Sequence, residues 1–126
     1  MIKKITGDIL DSTEDCICQQ VNCQGVMGAG VAKAIAEKWP LVKALYLWKC
    51  RQQINLGELL GSIQAVNINE EQMIINIFGQ LDYGRDKYKR YTDYSALTKA
   101  FDTIRTKYAG YSLAFPYGFG CGCAIS

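Results

Sequence analysis

Two glycine-rich stretches stand where a strand hands over to the next element. In GVMGAGVAKAI, glycines at 25, 28 and 30 follow an apolar run ending at Val21 and lead at once into helical periodicity. Backbone N–H groups at a helix N-terminus above a strand end make a seat for phosphate. Glycine suits such a seat, because a Cβ would hold a diphosphate away from the backbone and because the turn can require positive φ. PYGFGCG, residues 116–122, follows a second apolar run, and two loops of this kind can aim their amides into one crevice from two sides. Asp8, in Gly7-Asp8-Ile9, adds a carboxylate after the first strand-like run, where it could accept from an exocyclic amine or a ribose hydroxyl. The plainer alternatives are a tight strand-to-helix turn without ligand and an aspartate that serves its own turn.

Other chemistries are narrowed by what is missing. The chain has no histidine, so no Cys-His or Ser-His pair can form, and a triad-type nucleophile would need an unusual base. The P-loop needs Gly-Lys-Ser/Thr, whereas Gly30-Val31-Ala32 stands here; the dinucleotide fingerprint needs a third glycine where Lys33 stands. The Cys16/Cys18 and Cys121/Cys123 pairs could supply thiolates to a metal, but structural zinc sites commonly space paired cysteines further apart, and the first pair lies inside a strand. No metal and no cofactor is expected. The six cysteines read as reduced, mostly buried thiols.

The elements that must position these loops follow from periodicity. At 126 residues the chain reads as one domain over 1–126, and 49% hydrophobic with 21% charged residues is the composition of a globular protein with one sizeable core. Residues 2–9 and 15–22 read as strands, the second with Cys16, Cys18 and Gln20 on one face and Ile17, Gln19 and Val21 on the other. A helix is predicted over 29–38, with Val31, Ile35 and Trp39 at four-residue spacing, and a second from Pro40, with Leu41, Leu45 and Trp48 on one side. Residues 59–68 and 72–78 read as a strand pair turning at 69–71. Thr92 is the expected N-cap of a helix carrying Tyr94, Leu97, Phe101, Ile104 and Tyr108, Gly110 ends it, and 111–115 is a last strand. Strands interleaved with helices predict an α/β fold.

The set Gly7-Asp8-Ile9, Val21-Asn22, Met27-Gly28-Ala29-Gly30-Val31-Ala32, Lys38-Trp39-Pro40 and Pro116-Tyr117-Gly118-Phe119-Gly120-Cys121-Gly122 resembles, collinearly over the whole chain, a macrodomain. It is most similar to the branch that processes ADP-ribose-1''-phosphate or removes ADP-ribose from glutamate or DNA bases. The resemblance implies a three-layer α/β/α fold with a mixed central sheet. It also implies that Asp8 and Ile9 hold adenine, that Asn22 lies by the distal ribose, and that Gly28, Ala29, Gly30 and Val31 line the diphosphate opposite Gly118, Phe119, Gly120, Cys121 and Gly122. The implied function is ADP-ribose binding, with hydrolysis of ADP-ribose-1''-phosphate or an ADP-ribosyl ester; the alternative is a non-catalytic reader of ADP-ribose or ADP-ribosylated targets. Hydrolases of this branch carry a lysine where Gln80 stands and, in the protein-specific members, an aspartate where Ala124 stands. Catalysis would then rest on substrate phosphate, ordered water and Asn22.

Members of the family continue past the second glycine loop with a helix and a strand that lies inside the sheet. Residues 123–126 are therefore expected to mark a truncation, with the first strand either shifted across to pair with 111–115 or left beside a gap that a second copy could cover. The segment 79–91 interleaves Arg85, Lys87, Lys89 and Arg90 with Tyr83, Tyr88 and Tyr91, which fits either a nucleic-acid or acidic-substrate contact or an ordinary solvated surface. No apolar run reaches membrane-helix length and no export signal opens the chain, so a cytoplasmic protein without membrane contact is expected. The expected partners are ADP-ribose or a derivative and an ADP-ribosylated protein or nucleic acid.

Overall fold

A computed structural model describes residues 2–4, 8–28, 30–84 and 91–116. Five strands form one sheet in the order β1-β5-β2-β4-β3: β1 (Ile2–Lys4), β2 (Cys16–Asn22), β3 (Ile63–Asn67), β4 (Met73–Gln80) and β5 (Leu113–Phe115). β1, β5, β2 and β4 run parallel and β3 pairs antiparallel to β4, so the sheet is mixed. Helices α1 (Gly30–Lys38) and α2 (Pro40–Arg51) serve one core, and α3 (Tyr94–Lys107) serves the other.

The alternation of β2 divides the core. Ile17 and Val21 join Ile74, Phe78 and Ala114 of the sheet against Ile35, Val42 and Tyr46. Cys16 and Cys18 join Ile75, Ile77 and Phe115 against Leu97, Ala100 and Ile104 of α3. A strand with apolar residues on both faces belongs in the middle of a sheet covered on both sides, and that is where β2 lies. The start of the strand is pinned by a reciprocal pair in which Ser112 Oγ accepts from Asp15 N at 2.8 Å and Asp15 Oδ2 accepts from Ser112 N at 2.9 Å.

Polar residues also enter the first core. Gln19 Nε2 donates to Asn76 Oδ1 at 2.7 Å, Asn76 Nδ2 donates to Gln64 Oε1 at 3.0 Å, and Gln64 Nε2 donates to the carbonyl of Leu45 at 3.0 Å. These amides stand in register on β2, β4 and β3, so the row ties three strands to α2. A register slip would bury each amide without its partner, which makes the row a register device as well as a bond.

Some expectations change. The residue capping α3 is Asp93, whose side chain accepts from Ala96 N at 3.0 Å; Thr92 is buried and accepts from Gln20 Nε2 at 2.9 Å. α2 buries Val42 and Tyr46, and the side carrying Leu41, Leu45 and Trp48 is the exposed one. Residues 59–61 form a turn, and β3 starts only at Ile63. The first strand pairs with the last, Ile2, Lys3 and Lys4 aligning with Leu113, Ala114 and Phe115.

Candidate functional site

β2 and β4 end side by side, and their last residues do not stay in step. Val21 aligns with Phe78 but Asn22 aligns with Gln80, so Gly79 is an extra residue on β4. Such bulges re-aim the side chains beyond them and are common beside binding sites. Glycine fits best at this one: a Cβ there would lie 2.6 Å from Leu97 Cδ2 and 3.1 Å from Gln20 Cδ, so those side chains would have to shift. Past the bulge, Asn22 and Gln80 open onto a cleft of about 390 Å³, lined by Gln20, Val21, Asn22, Val26, Gly28, Ala32, Gln80, Tyr83 and Gly84. It lies at the carboxyl ends of parallel strands beside the start of α1, where open α/β sheets hold ligands.

One wall is organised by Asn22. Its Oδ1 accepts from Gln24 N at 2.9 Å, Val26 N at 3.3 Å and the Tyr46 hydroxyl at 2.9 Å, while its Nδ2 donates to the carbonyl of Val26 at 2.9 Å. The loop from β2 to α1 is thus folded around one side chain. Gly25, at φ +82°, and Gly30, at φ +58°, provide the left-handed turns at the middle and end of this loop. Gly28 is exposed, and a Cβ on it would meet only Val26 Cγ1 at 3.9 Å, so the space above it is open.

The opposite wall is a chain of amides. Gln20 Nε2 donates to Gln80 Oε1 at 2.5 Å, Gln80 Nε2 donates to the carbonyl of Asp82 at 2.7 Å, and Gln24 Nε2 reaches Asp82 Oδ1 at 3.2 Å across the mouth. Gly84 lets the chain pass close to Tyr91, whose hydroxyl would lie 2.3 Å from a Cβ there.

Behind the loop, burial pushes the Tyr46 phenol up, and the neighbouring Cys50 thiol raises it further. Cys23 is pushed up to about 11 by burial, with Cys50 adding to it, and Cys50 is raised by burial too. These groups are neutral near pH 7 and act as packing and hydrogen-bonding partners, not as nucleophiles. Among the described residues, no group of three or more cysteine, aspartate or glutamate side chains is placed to hold a metal ion.

Of the residues expected at the ligand, Asn22 and Gly28 line the cleft. Asp8 is exposed and caps a 3-10 turn over Ile9–Asp11 by accepting from Leu10 N at 2.9 Å, while Ile9 is buried in the first core. Gly30 begins α1 and Val31 packs partly against that core; neither lines the cleft. Ala29, Gly118, Phe119, Gly120, Cys121, Gly122 and Ala124 lie outside the described residues, as do Arg85, Lys87, Tyr88, Lys89 and Arg90. Gln20 and Gly84 carry no mark in the sequence as ligand contacts, and Tyr83 enters only through the basic, tyrosine-rich segment 79–91. Gln20 is one of two adjacent glutamines in a strand whose other interior residues are apolar; Tyr83 and Gly84 are brought to the cleft by the chain's path after the bulge.

No protein-family profile and no curated protein matches the chain. Solved structures do. A macrodomain protein from Streptomyces coelicolor superposes with a TM-score of 0.75 at 22% identity, over 92% of this chain and 77% of that one. The macrodomain of Mycobacterium tuberculosis DarG gives 0.73 at 24% identity, over 97% and 78%. Thermosipho africanus DarTG, solved in complex with ADP-ribose, gives 0.74 at 19% identity, over 96% of this chain and 34% of that one. Together with the mixed sheet between α1/α2 and α3, these superpositions show that the chain has the macrodomain fold.

Proposed function

We propose that the chain binds ADP-ribose in the cleft beside Asn22 and Gly28 and acts as a non-catalytic reader of ADP-ribose or of an ADP-ribosylated target. The observation that carries the reading is the cleft's position: it opens at the ends of β2 and β4, beside an open glycine backbone and the start of α1, in a fold shared with a protein solved with ADP-ribose. Backbone amides at such a helix start suit a diphosphate. Glutamine and asparagine amides suit ribose hydroxyls.

The composition of the walls favours reading over hydrolysis. Among the described residues lining the cleft there is no carboxylate, lysine or cysteine, and the Tyr83 phenol is the one group there with an ionisable proton. Releasing phosphate from ADP-ribose-1''-phosphate, or a carboxylate from an ADP-ribosyl ester, needs a group that moves a proton at the scissile oxygen. Asn22 has no such proton to give at neutral pH, and its amide already holds the loop.

Calorimetric titration with ADP-ribose tests the binding, followed by incubation with ADP-ribose-1''-phosphate and with an ADP-ribosylated glutamate peptide while phosphate and free ADP-ribose are measured. Saturable binding with neither product supports the reader. Release of phosphate or ADP-ribose makes the chain a hydrolase, and absence of binding removes both readings.

A further inference from the structure

α2 is apolar on two sides. Val42 and Tyr46 face the core, while Leu41, Ala44, Leu45 and Trp48 recur at spacings of three and four on the side turned to solvent. Leu41 is 57% exposed and Trp48 58%. A surface helix normally carries its polar residues on that side, and a helix apolar all round is normally buried on both. Exposed leucines scattered singly need no explanation; a tryptophan and two leucines on one helical stripe do.

The charges around the stripe are of one sign. α2 carries Lys43, Lys49 and Arg51 and no carboxylate, and no aspartate or glutamate occurs between Glu37 and Glu58. At 100° per residue, Lys49 and Arg51 fall on the two flanks of the stripe. Lys43, Lys49 and Arg51 form no ion pair among the described residues. A second copy packed on this face would set cations against cations at both flanks. An apolar ridge edged by carboxylates would bury the leucines and tryptophan and pair the cations together.

We propose that the outer face of α2 is a docking surface for a partner protein that presents an amphipathic segment, most simply a helix, with an apolar seam flanked by aspartate or glutamate. None of Leu41, Leu45 and Trp48 lines the cleft, so such a partner leaves the cleft open. The surface is independent of what the cleft binds.

The test uses Trp39→Phe protein, in which Trp48 is the sole tryptophan and reports from within the stripe. The probes are two synthetic helical peptides of about 20 residues with the same leucine seam, one flanked by glutamates and one by lysines. The glutamate peptide is expected to saturate and shift Trp48 emission to the blue, with affinity falling at least tenfold in Leu41→Ser and in Lys49→Glu/Arg51→Glu. The lysine peptide should bind the charge-reversed variant better than the parent. Equal affinity for the two peptides, or binding of neither, overturns the proposal. So does a concentration-dependent dimer that shifts Trp48 emission without peptide, or a shift with phosphatidylglycerol vesicles where the glutamate peptide gives none. Leu41 and Arg51 are exposed while Trp39 and Lys49 are half-buried, so melting temperatures unchanged from the parent confirm that a lost signal is lost binding.

Discussion

The hydroxyl of Tyr46 lies 2.7 Å from the carbonyl oxygen of Asn22 and 2.9 Å from its Oδ1, so one proton from α2 is shared between the backbone and the side chain of the last residue of β2. This buried contact joins the helix layer to the residue that shapes the cleft loop. Removing the oxygen leaves two acceptors short of a donor while the ring, packed 5.9 Å from Phe78, stays in place. Tyr46→Phe should therefore cost about 1–3 kcal/mol of stability. ADP-ribose affinity should fall with it, because the Asn22 loop loses its rear support. Urea unfolding and calorimetry on the same preparation check both; unchanged affinity would show the loop holds without α2.

Gly28 separates binding from folding. Its missing Cβ would meet open space, so Gly28→Ala should leave the urea midpoint nearly unchanged, within about 0.5 kcal/mol. The methyl would project where a diphosphate approaches the backbone, and ADP-ribose affinity should drop about tenfold or more. Full affinity in this variant would move the diphosphate away from the loop.

Gly79 is the converse. A methyl on this bulge residue must displace Leu97, buried between the sheet and α3, and Gln20, bonded to Gln80 and Thr92. Gly79→Ala is expected to destabilise by about 1–3 kcal/mol through overpacking. Thermal melts read the effect, and a neutral result would mean that α3 moves freely against the sheet.

Asn76→Leu tests the buried amide row. The substitution leaves Gln19 Nε2 and Gln64 Oε1 without their Asn76 partners in an apolar layer, for a cost of about 2–4 kcal/mol. Pairing it with Gln19→Leu and Gln64→Leu should recover part of that loss, since an apolar layer has no unmet polar groups. A triple variant less stable than the single one would mean that the amides contribute through packing.

The buried thiols predict a pH dependence. Cys16 and Cys23 are each raised to about 11 by burial, with the Asp15 carboxylate adding to the first and Cys50 to the second. A raised thiol means that the folded chain keeps protons which the unfolded chain has already released. That stability is fully present below the unfolded thiol value and is lost as pH climbs through the folded one. The urea midpoint should hold from neutral pH to about 8.5 and fall between there and about 11. A flat midpoint across that interval would place these thiols in contact with water.

The strand and helix order was legible in the sequence because it rests on local patterns. The double-faced apolar run of β2, the Pro40 start of α2 and the stepped residues of α3 each carry their own period. Boundaries were less so. Thr92 and Asp93 are both good caps, and the choice falls to Asp93 because Gln20 on a distant strand engages Thr92. Which face of α2 meets the core was not legible, because Leu41, Leu45 and Trp48 form as good a stripe as Val42 and Tyr46, and the docking of Tyr46 onto Asn22 decides between them.

For the site, the residue types alone marked out a glycine loop after Val21, an asparagine at the strand end and the absence of histidine, because backbone approach and side-chain chemistry are local properties. Which residues meet around the cleft was decided by tertiary structure. Gln20, Gln80 and Thr92 are far apart along the chain and converge because β2 and β4 pair in parallel and because one extra residue, Gly79, turns the strand ends. Pairing register is a property of two strands at once, and neither strand's sequence contains it.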